Sequence, residues 1–190
     1  MAEPARRPGR PSTGARERIL AAGLEVLKAE GYAGLTTAKV AARSRENKAL
    51  IAYHFGSKQG LVAAAAREVA ESITEEVLSG LDDTDSAEGV VGGVLDGLWR
   101  VLDRDERLAR LYFDLAAVAV VDPDVRAVTA EMRALWRRTL AELLDAPEEV
   151  TVFVMAACDG LALERLERGE TPALQRARDL VLRSATAAVS

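Results

Sequence analysis

Residues 36–58 read TTAKVAARSRENKALIAYHFGSK, and they are the most informative part of the chain. It predicts a short helix, a tight connection and a second short helix ending in Tyr53-His54-Phe55, after which Ser57 begins another helix. Two short crossed helices cannot bury each other's apolar residues, so they need the helix before them, 16–30, and the helix after them to complete a core. A second helix held at the surface in this way is the arrangement that enters the major groove of DNA. The stretch therefore predicts a double-stranded DNA operator as the partner.

The charge distribution supports this interpretation. Residues 1–60 contain eleven Lys and Arg residues against five Asp and Glu residues, a net charge of +6, whereas the remaining 130 residues carry −11. All four lysines of the chain lie in the first segment. A basic segment on an acidic body attracts phosphates to one end of the molecule and repels them elsewhere.

Composition favours an all-α protein, because 49% of the residues are hydrophobic and Ala, Leu, Arg and Glu are abundant. Helix-start and turn signals divide the chain into a flexible basic arm (1–14), a helix-turn-helix DNA-binding domain (15–60) and a helical body (61–190). The predicted helices are 15–30, 37–43, 48–54, 58–79, 87–102, 105–121, 123–145, 147–168 and 172–188.

Several classes of protein are disfavoured by what the sequence lacks. It contains no Gly-rich phosphate loop, no metal-ligand cluster and no nucleophile elbow, so we expect no enzyme activity, no catalytic residues, no cofactor and no metal. Its apolar runs are too short to cross a bilayer, and residues 1–14 have no apolar core of the signal-peptide kind, so no membrane partner is expected. The single cysteine, Cys158, cannot form an intrachain disulfide, which favours the cytoplasm.

Residues 16–62 resemble the DNA-binding half of the TetR family of bacterial transcriptional regulators. The resemblance rests on Gly31-Tyr32 at the end of the first helix, Val40-Ala41 in the second, and Tyr53-His54-Phe55 followed by Gly56-Ser57-Lys58. It implies a bacterial regulator located in the cytoplasm and on the nucleoid when bound to DNA. It also implies that the helical remainder binds a small-molecule effector and forms a homodimer.

Two departures from the family pattern concern the reading helix. Where the family usually has Ala-Gly-Val with a buried valine, this chain has Ser44-Arg45-Glu46. A carboxylate is costly in a buried site, so Glu46 is predicted to turn outward. The family's Gly-Thr-Leu-Tyr is Ala49-Leu50-Ile51-Ala52 here, so the Thr and Tyr that contact DNA in relatives are missing at Leu50 and Ala52. The operator sequence therefore cannot be transferred from a relative.

Seven residues are candidates for contact with DNA. Lys48 begins the reading helix and can reach base edges or phosphates, and Lys58 begins the next helix, whose free N–H groups favour a phosphate. Asn47 is a better helix cap than a base reader, and the lone His54 suits a structural or phosphate-binding role better than a metal site. The complete set is Thr37, Asn47, Lys48, Ala49, Tyr53, His54 and Lys58.

A final helical hairpin is expected to form the dimer, because helix 147–168 is apolar on several sides and must be covered on several sides. Two such hairpins would form a four-helix bundle, although the same pattern suits a core helix of one chain. The candidate interface residues are Val150, Phe153, Leu161, Leu174, Leu180 and Val181.

Large side chains in the body are expected to line a cavity or to form ordinary core, two alternatives that the sequence leaves open. The candidate ligand-binding residues are Trp99, Tyr112, Phe113, Met132, Trp136 and Asp159. Arg110 and Asp114 are further possible polar anchors. Gly89, Gly92, Gly93 and Gly97 leave room for a ligand or permit close helix packing, and these two roles are also left open.

The function predicted from the sequence is a repressor released from a palindromic operator by a small apolar ligand. An activator of the same fold is the alternative within the same class, since the position of the operator decides between them. A helical adaptor that binds only protein is the alternative from another class, but it would need neither the basic segment nor the arm.

Overall fold

The computed structural model describes residues 14–79, 81 and 86–189, and within them every regular element is an α-helix. The predicted basic arm lies outside these residues except for Gly14, as do residues 80, 82–85 and 190. The helices are α1 (Ala15–Gly34), α2 (Thr37–Ser44), α3 (Lys48–Phe55), α4 (Lys58–Leu78), α5 (Ala87–Arg104), α6 (Glu106–Ala119), α7 (Pro123–Leu144), α8 (Glu148–Arg168) and α9 (Pro172–Val189). The all-α prediction is confirmed.

Side-chain caps fix the starts of the helices around the predicted DNA-binding segment. The Thr36 hydroxyl accepts the Lys39 N–H, Asn47 Oδ1 accepts the Ala49 N–H, and Ser57 Oγ accepts the Gly60 N–H. Each bond satisfies a backbone donor that the first turn of a helix leaves without a partner. These caps fix where α2, α3 and α4 each begin, so α3 is a separate short helix between α2 and α4.

Helix α1 contains a break at Gly31, the residue predicted to end it. Gly31 has φ 68° and ψ −177°, a conformation that L side chains rarely adopt, and one further turn continues to Gly34. The predicted end is therefore the end of regular helical geometry, although the element runs three residues further.

A small core holds the first three helices and the start of α4 together, and we call this part the head. Ile19 of α1, Val40 of α2, Ile51 of α3 and Leu61 of α4 are each at most 1% exposed. Helix α4 continues from the head into the body, so the predicted domain division after residue 60 falls near its start.

The body consists of the rest of α4 and helices α5–α9. Helix α4 packs against α5 and α7, α6 packs against α1 and α7, and the α8–α9 hairpin packs on α5. None of the helices in the described part of the chain is long and apolar enough to cross a membrane.

Candidate nucleic-acid interface and ligand cavity

One face of α3 is open to solvent and forms the candidate DNA-reading surface. It consists of Lys48, Ala49, Ala52 and Tyr53, and the Tyr53 side chain is 71% exposed. The opposite side is anchored in the head by the buried Ile51 and the partly buried Leu50. The helix therefore presents a lysine and a phenol at its two ends, with small side chains between them.

The cations of the head divide into two groups. Four of them form ion pairs: Arg18 with Glu46, Lys28 with Asp105, Lys39 with Glu30 and Arg43 with Glu25. The other four cations of residues 14–60 have no ion pair within the described residues. Arg45 lies in the turn before α3, Lys48 begins α3, Lys58 begins α4, and Arg16 of α1 lies against Phe55 at the end of α3. Positive charge that is not compensated by carboxylates is thus concentrated around α3.

Two of these cations lie on aromatic rings. The Arg16 guanidinium lies 5.4 Å from the centre of the Phe55 ring, and Lys58 Nζ lies 4.6 Å from the centre of the Tyr32 ring. Lys58 Nζ is also 3.5 Å from the Tyr32 carbonyl oxygen. These contacts hold the Lys58 side chain against Tyr32.

The other predicted DNA-contact residues have mixed environments. Thr37 is half-buried at the start of α2, and Asn47 caps α3. The ring of His54 lies between those of Tyr53 and Phe55, and its Nε2 is buried without a hydrogen-bond partner. Thr37, Asn47 and His54 are therefore weaker candidates for DNA contact than Lys48 and Tyr53.

Glu46 does not turn outward, so that prediction is wrong. Its side chain is only 13% exposed, and Oε1 accepts hydrogen bonds from Arg18 Nε at 3.0 Å and Nη2 at 2.6 Å. The guanidinium of α1 compensates the carboxylate at the turn before α3. Sequence reasoning missed this pair because its partners lie 28 positions apart.

A cavity of about 80 Å³ lies within the body, enclosed by helices α4–α8 and the segment after α4. Four of the predicted ligand-binding residues line it: Tyr112, Phe113, Trp136 and Asp159. Its other walls are largely aliphatic, and Cys158 is part of them.

Two predicted ligand-binding residues do not line this cavity. Met132 is buried in the core, and Trp99 lies against the α8–α9 hairpin, where its indole N–H donates to Glu170. The Arg165 and Arg178 guanidiniums lie 5.2 Å and 5.1 Å from the Trp99 ring centre. The two additional anchors are also elsewhere: Arg110 pairs with Glu106 on the surface, and Asp114 accepts the backbone N–H of Tyr32.

A polar triad forms one side of the cavity. The Tyr112 hydroxyl donates to Asp159 Oδ1 at 3.1 Å, and Arg133 Nη1 donates to the Tyr112 oxygen at 2.9 Å and to Asp159 Oδ2 at 2.8 Å. Burial and the neighbouring Asp159 charge raise the pKa of Tyr112, so its phenol stays protonated. Burial acts to lower the pKa of Arg133, but the hydrogen bond and charge of Asp159 outweigh it and the pKa rises.

The cavity thiol is also held neutral. Burial, followed by the Asp159 charge, raises the pKa of Cys158 to about 12. Among the residues that the structure describes, no group of three or more His, Cys, Asp or Glu side chains is placed to hold a metal ion.

Two hydrogen bonds connect α1 of the head to α6 of the body, one at the N-cap residue of α6 and one at its middle. Lys28 Nζ donates to Asp105 Oδ2, and the Tyr32 N–H donates to Asp114 Oδ2, both at 2.6 Å. Burial acts to raise the pKa of Asp105, but Lys28 and the Leu108 N–H outweigh it and lower the pKa, so Asp105 remains ionised. Asp114 directly follows Phe113, so neighbouring residues of α6 contact the cavity and the head.

The predicted interface residues on α8 and α9 are split between core and surface. Val150, Leu161 and Leu174 are buried inside this protomer, and Val181 packs against the same core. They cannot form an outer surface, because Val150 and Leu161 lie on the inner side of α8, and Leu174 and Val181 of α9 pack against the same core. Phe153 and Leu180 are exposed by 42% and 56%.

Comparison with known proteins identifies the family. Residues 19–65 match the family model for bacterial regulatory proteins of the tetR family, and residues 100–189 match the model for the C-terminal part of BetI-type transcriptional repressors. Together the two matches cover well over half of the chain. Comparison with curated protein sequences found no significant match.

Solved structures of similar fold agree with this result. The multidrug binding protein EbrR complexed with ethidium is 26% identical, with 89% of this chain and 97% of that chain covered and a TM-score of 0.76. A TetR-family member from Streptomyces coelicolor A3 is also 26% identical, with 89% and 96% covered and a TM-score of 0.77. A transcriptional regulator from Rhodococcus sp. Rha1 shares the fold at 22% identity, with 90% and 95% covered and a TM-score of 0.77.

The helix-turn-helix head, the helical body and both family matches lead to one assignment. The chain belongs to the TetR family of bacterial regulatory proteins and is a transcription regulator with a helix-turn-helix DNA-binding domain.

Proposed function

We propose that this regulator is a homodimeric, cytoplasmic repressor that binds a palindromic operator through α3 and leaves it when a small, largely apolar molecule enters the body. The observation that carries the DNA-binding part is the concentration of unpaired cations around α3. Arg45 and Lys48 are exposed beside the reading face and have no ion pair within the described residues. Such groups release counterions when they meet phosphates, whereas paired cations gain much less.

Dimerisation is supported by two surface seams with coiled-coil spacing. On α8 the seam consists of Phe153, Ala156, Gly160 and Leu163, all exposed. On α9 it consists of Ala173, Ala177, Leu180, Ser184 and Ala187, of which all but the partly buried Ala177 are exposed. In both seams, apolar or small residues recur at spacings that alternate between three and four positions, which suits close helix packing.

Two copies packed through these seams would be related by a two-fold axis, and their two α3 helices would address two half-sites. An isologous dimer of this kind reads a palindrome, with half-sites separated by about one helical turn of DNA or a multiple of it.

The repressor role is supported by the similarity of residues 100–189 to BetI-type repressors. An activator would hold DNA in the same way and differ only in where its operator lies. A promoter–reporter assay in cells with and without the gene separates the two roles.

An effector site is supported by the cavity and by the similarity to EbrR, which has been solved with ethidium. The cavity volume of about 80 Å³ is well below the roughly 300–1,000 Å³ typical of drug-sized ligands. A larger effector must therefore favour a conformation with the body helices further apart. It shifts the population toward that conformation only by its differential affinity for the two.

The α1–α6 contacts suggest how such a change reaches DNA. Displacement of Phe113 by an effector would also move Asp114, which holds the Tyr32 N–H, and the Tyr32 ring in turn lies under Lys58 at the start of α4. Helix α6 would thus act together with α4 in changing the separation of the two heads.

The decisive experiment is footprinting of the purified protein on the DNA upstream of its own gene, at low and moderate salt. We expect a protected, imperfectly palindromic site whose occupancy falls steeply with salt. No protected site there or in selection from random DNA would contradict operator binding.

A further inference from the structure

The cavity wall has few polar groups, and most of their O–H and N–H groups already donate hydrogen bonds within the protein. The Tyr112 hydroxyl proton is donated to Asp159, and the indole N–H of Trp136 is donated to Thr74 Oγ1 at 2.6 Å. The Thr74 hydroxyl itself donates to the Ala70 carbonyl at 2.7 Å. The oxygens of Tyr112 and Thr74 can therefore only accept a further hydrogen bond, and the Trp136 indole has no donor left.

The remaining lining groups do not supply a strong donor. Cys158 is a weak donor, and the Thr139 hydroxyl, which has no bond within the described residues, can either donate or accept. Asp159 is the one lining side chain among the described residues with a formal charge at neutral pH. Its two oxygens each accept one bond, which leaves acceptor positions unused.

The counter-ion of Asp159 lies behind the wall rather than on it. Arg133 contacts the carboxylate and the Tyr112 oxygen through the single nitrogen Nη1, and it does not line the cavity. Its side chain is 35% exposed, so solvent screens part of its charge. From the cavity, an arriving molecule meets acceptors, a carboxylate and the aromatic side chains of Tyr112, Phe113 and Trp136.

We propose that the effector of this regulator carries a positively charged, hydrogen-bond-donating group, such as an alkylammonium or arylalkylammonium, and that Asp159 determines this preference. The inference rests on the effector site proposed above and specifies its ligand chemistry. An ammonium would gain a charge-assisted bond to Asp159 and favourable contact with the aromatic rings. A carboxylate of the same shape would face Asp159 without a strong donor to receive it.

The test compares three probes of similar shape: phenethylammonium, hydrocinnamate and ethylbenzene. Binding to the full-length protein is measured by isothermal titration calorimetry at neutral pH, and DNA affinity without a probe is measured in parallel. We expect phenethylammonium to bind wild type about tenfold or more tightly than hydrocinnamate, the range expected of a charge-assisted hydrogen bond.

Two variants should move this affinity in opposite directions. Asp159→Asn should weaken phenethylammonium binding about tenfold and leave ethylbenzene nearly unchanged, whereas Arg133→Met should strengthen ammonium binding by removing the competing cation. If the triad had only a structural role, both variants would bind phenethylammonium more weakly than wild type. Asp179→Asn, an exposed change on α9, is the matched control and should bind all three probes as wild type does.

The possible results distinguish the ammonium preference from the effector site on which it depends. Equal or tighter binding of hydrocinnamate or ethylbenzene would overturn the ammonium preference and leave the effector cavity in place. Weakened ammonium binding in both triad variants, with thermal unfolding unchanged, would likewise overturn the role of Asp159. Failure of all three probes to bind would overturn both proposals about the cavity, while the parallel DNA measurement reports on operator binding alone.

Discussion

The backbone N–H of Tyr32 donates a 2.6 Å hydrogen bond to Oδ2 of Asp114 across 82 positions of sequence. The bond ties the last turn of α1 to the middle of α6, next to the cavity residues Tyr112 and Phe113. It is possible because Gly31 has no side chain: a Cβ there would lie 3.2 Å from the same carboxylate oxygen. The joint thus depends on a glycine and a carboxylate on different helices.

Asp114→Ala is therefore expected to loosen the head from the body. Loss of an acceptor for a part-buried N–H should lower the free energy of unfolding by about 1–3 kcal/mol, and the ratio of DNA Kd values with and without effector should move toward one. Urea denaturation and fluorescence anisotropy with labelled operator measure the two effects. Glu106→Ala, an exposed change on the same helix, should alter neither, and an unchanged response in Asp114→Ala would remove α6 from the proposed route.

Lys48 and Lys39 are a matched pair for testing the reading face. Lys48 is exposed at the start of α3, whereas Lys39 is paired with Glu30 and donates to the Gly34 carbonyl. Lys48→Ala should weaken operator binding and reduce the slope of log Kd against log salt by about one phosphate contact. Lys39→Ala should change the slope much less. Equal slopes for both variants would mean that α3 does not face the DNA as proposed.

Gly160 offers a test of the dimer that does not disturb the protomer. A Cβ at this position has no atom within 4 Å, so a larger side chain fits the isolated chain and blocks only a partner on the α8 seam. Gly160→Trp should give a folded monomer in sedimentation velocity, with sharply reduced operator affinity. Ala130→Trp adds the same side chain to the exposed side of α7 and should remain dimeric. A Gly160→Trp dimer as stable as wild type would exclude the α8 seam.

Gly97 and Gly92 lie on the same helix, but their surroundings differ. A Cβ at Gly97 would lie 2.7 Å from the Val77 Cα of α4, whereas a Cβ at Gly92 would meet only Leu182 Cδ1 at 4.0 Å. Gly97→Ala should force α4 and α5 apart and lower the free energy of unfolding by about 1–3 kcal/mol. Gly92→Ala should raise it by up to about 1 kcal/mol through helix propensity. Chemical denaturation measures both, and effects of the same sign would contradict close packing at Gly97.

The neutral Cys158 thiol predicts both low reactivity and alkaline sensitivity. Because its pKa is raised to about 12, it has far less thiolate at mildly alkaline pH than a free cysteine, and iodoacetamide should label it only after unfolding. A raised pKa favours the fold below the ordinary thiol value of 9.0, and this stabilisation is lost as pH rises from there toward 12. The loss should shrink in Cys158→Ala, and rapid labelling of the native protein would contradict the burial.

The extent of the helices was predictable because local chemistry sets it. Asn47 and Ser57 are caps that depend only on neighbouring residues, and each begins its helix as expected. Contacts between distant positions were not predictable in this way. The inward orientation of Glu46 depends on Arg18, and the burial of Val150 and Leu161 depends on which side of α8 its own chain covers.

The same limit applies to the candidate site. Aromatic and sulfur-containing residues in the body indicated a cavity region, but helical periodicity alone does not tell which of them share one space. Trp99 and Met132 have the same residue character as Trp136 and Phe113, yet they lie in different parts of the packing.

The Arg18–Glu46 pair affects how the reading helix can be exchanged between relatives. Replacing only the turn and α3 with a relative's Ala-Gly-Val version would delete the carboxylate that Arg18 contacts and introduce an apolar side chain beside a guanidinium. The smallest transplantable unit in this protein therefore extends back to α1. Chimeric regulators built from it need a junction inside α4, beyond the last residue that packs on the head.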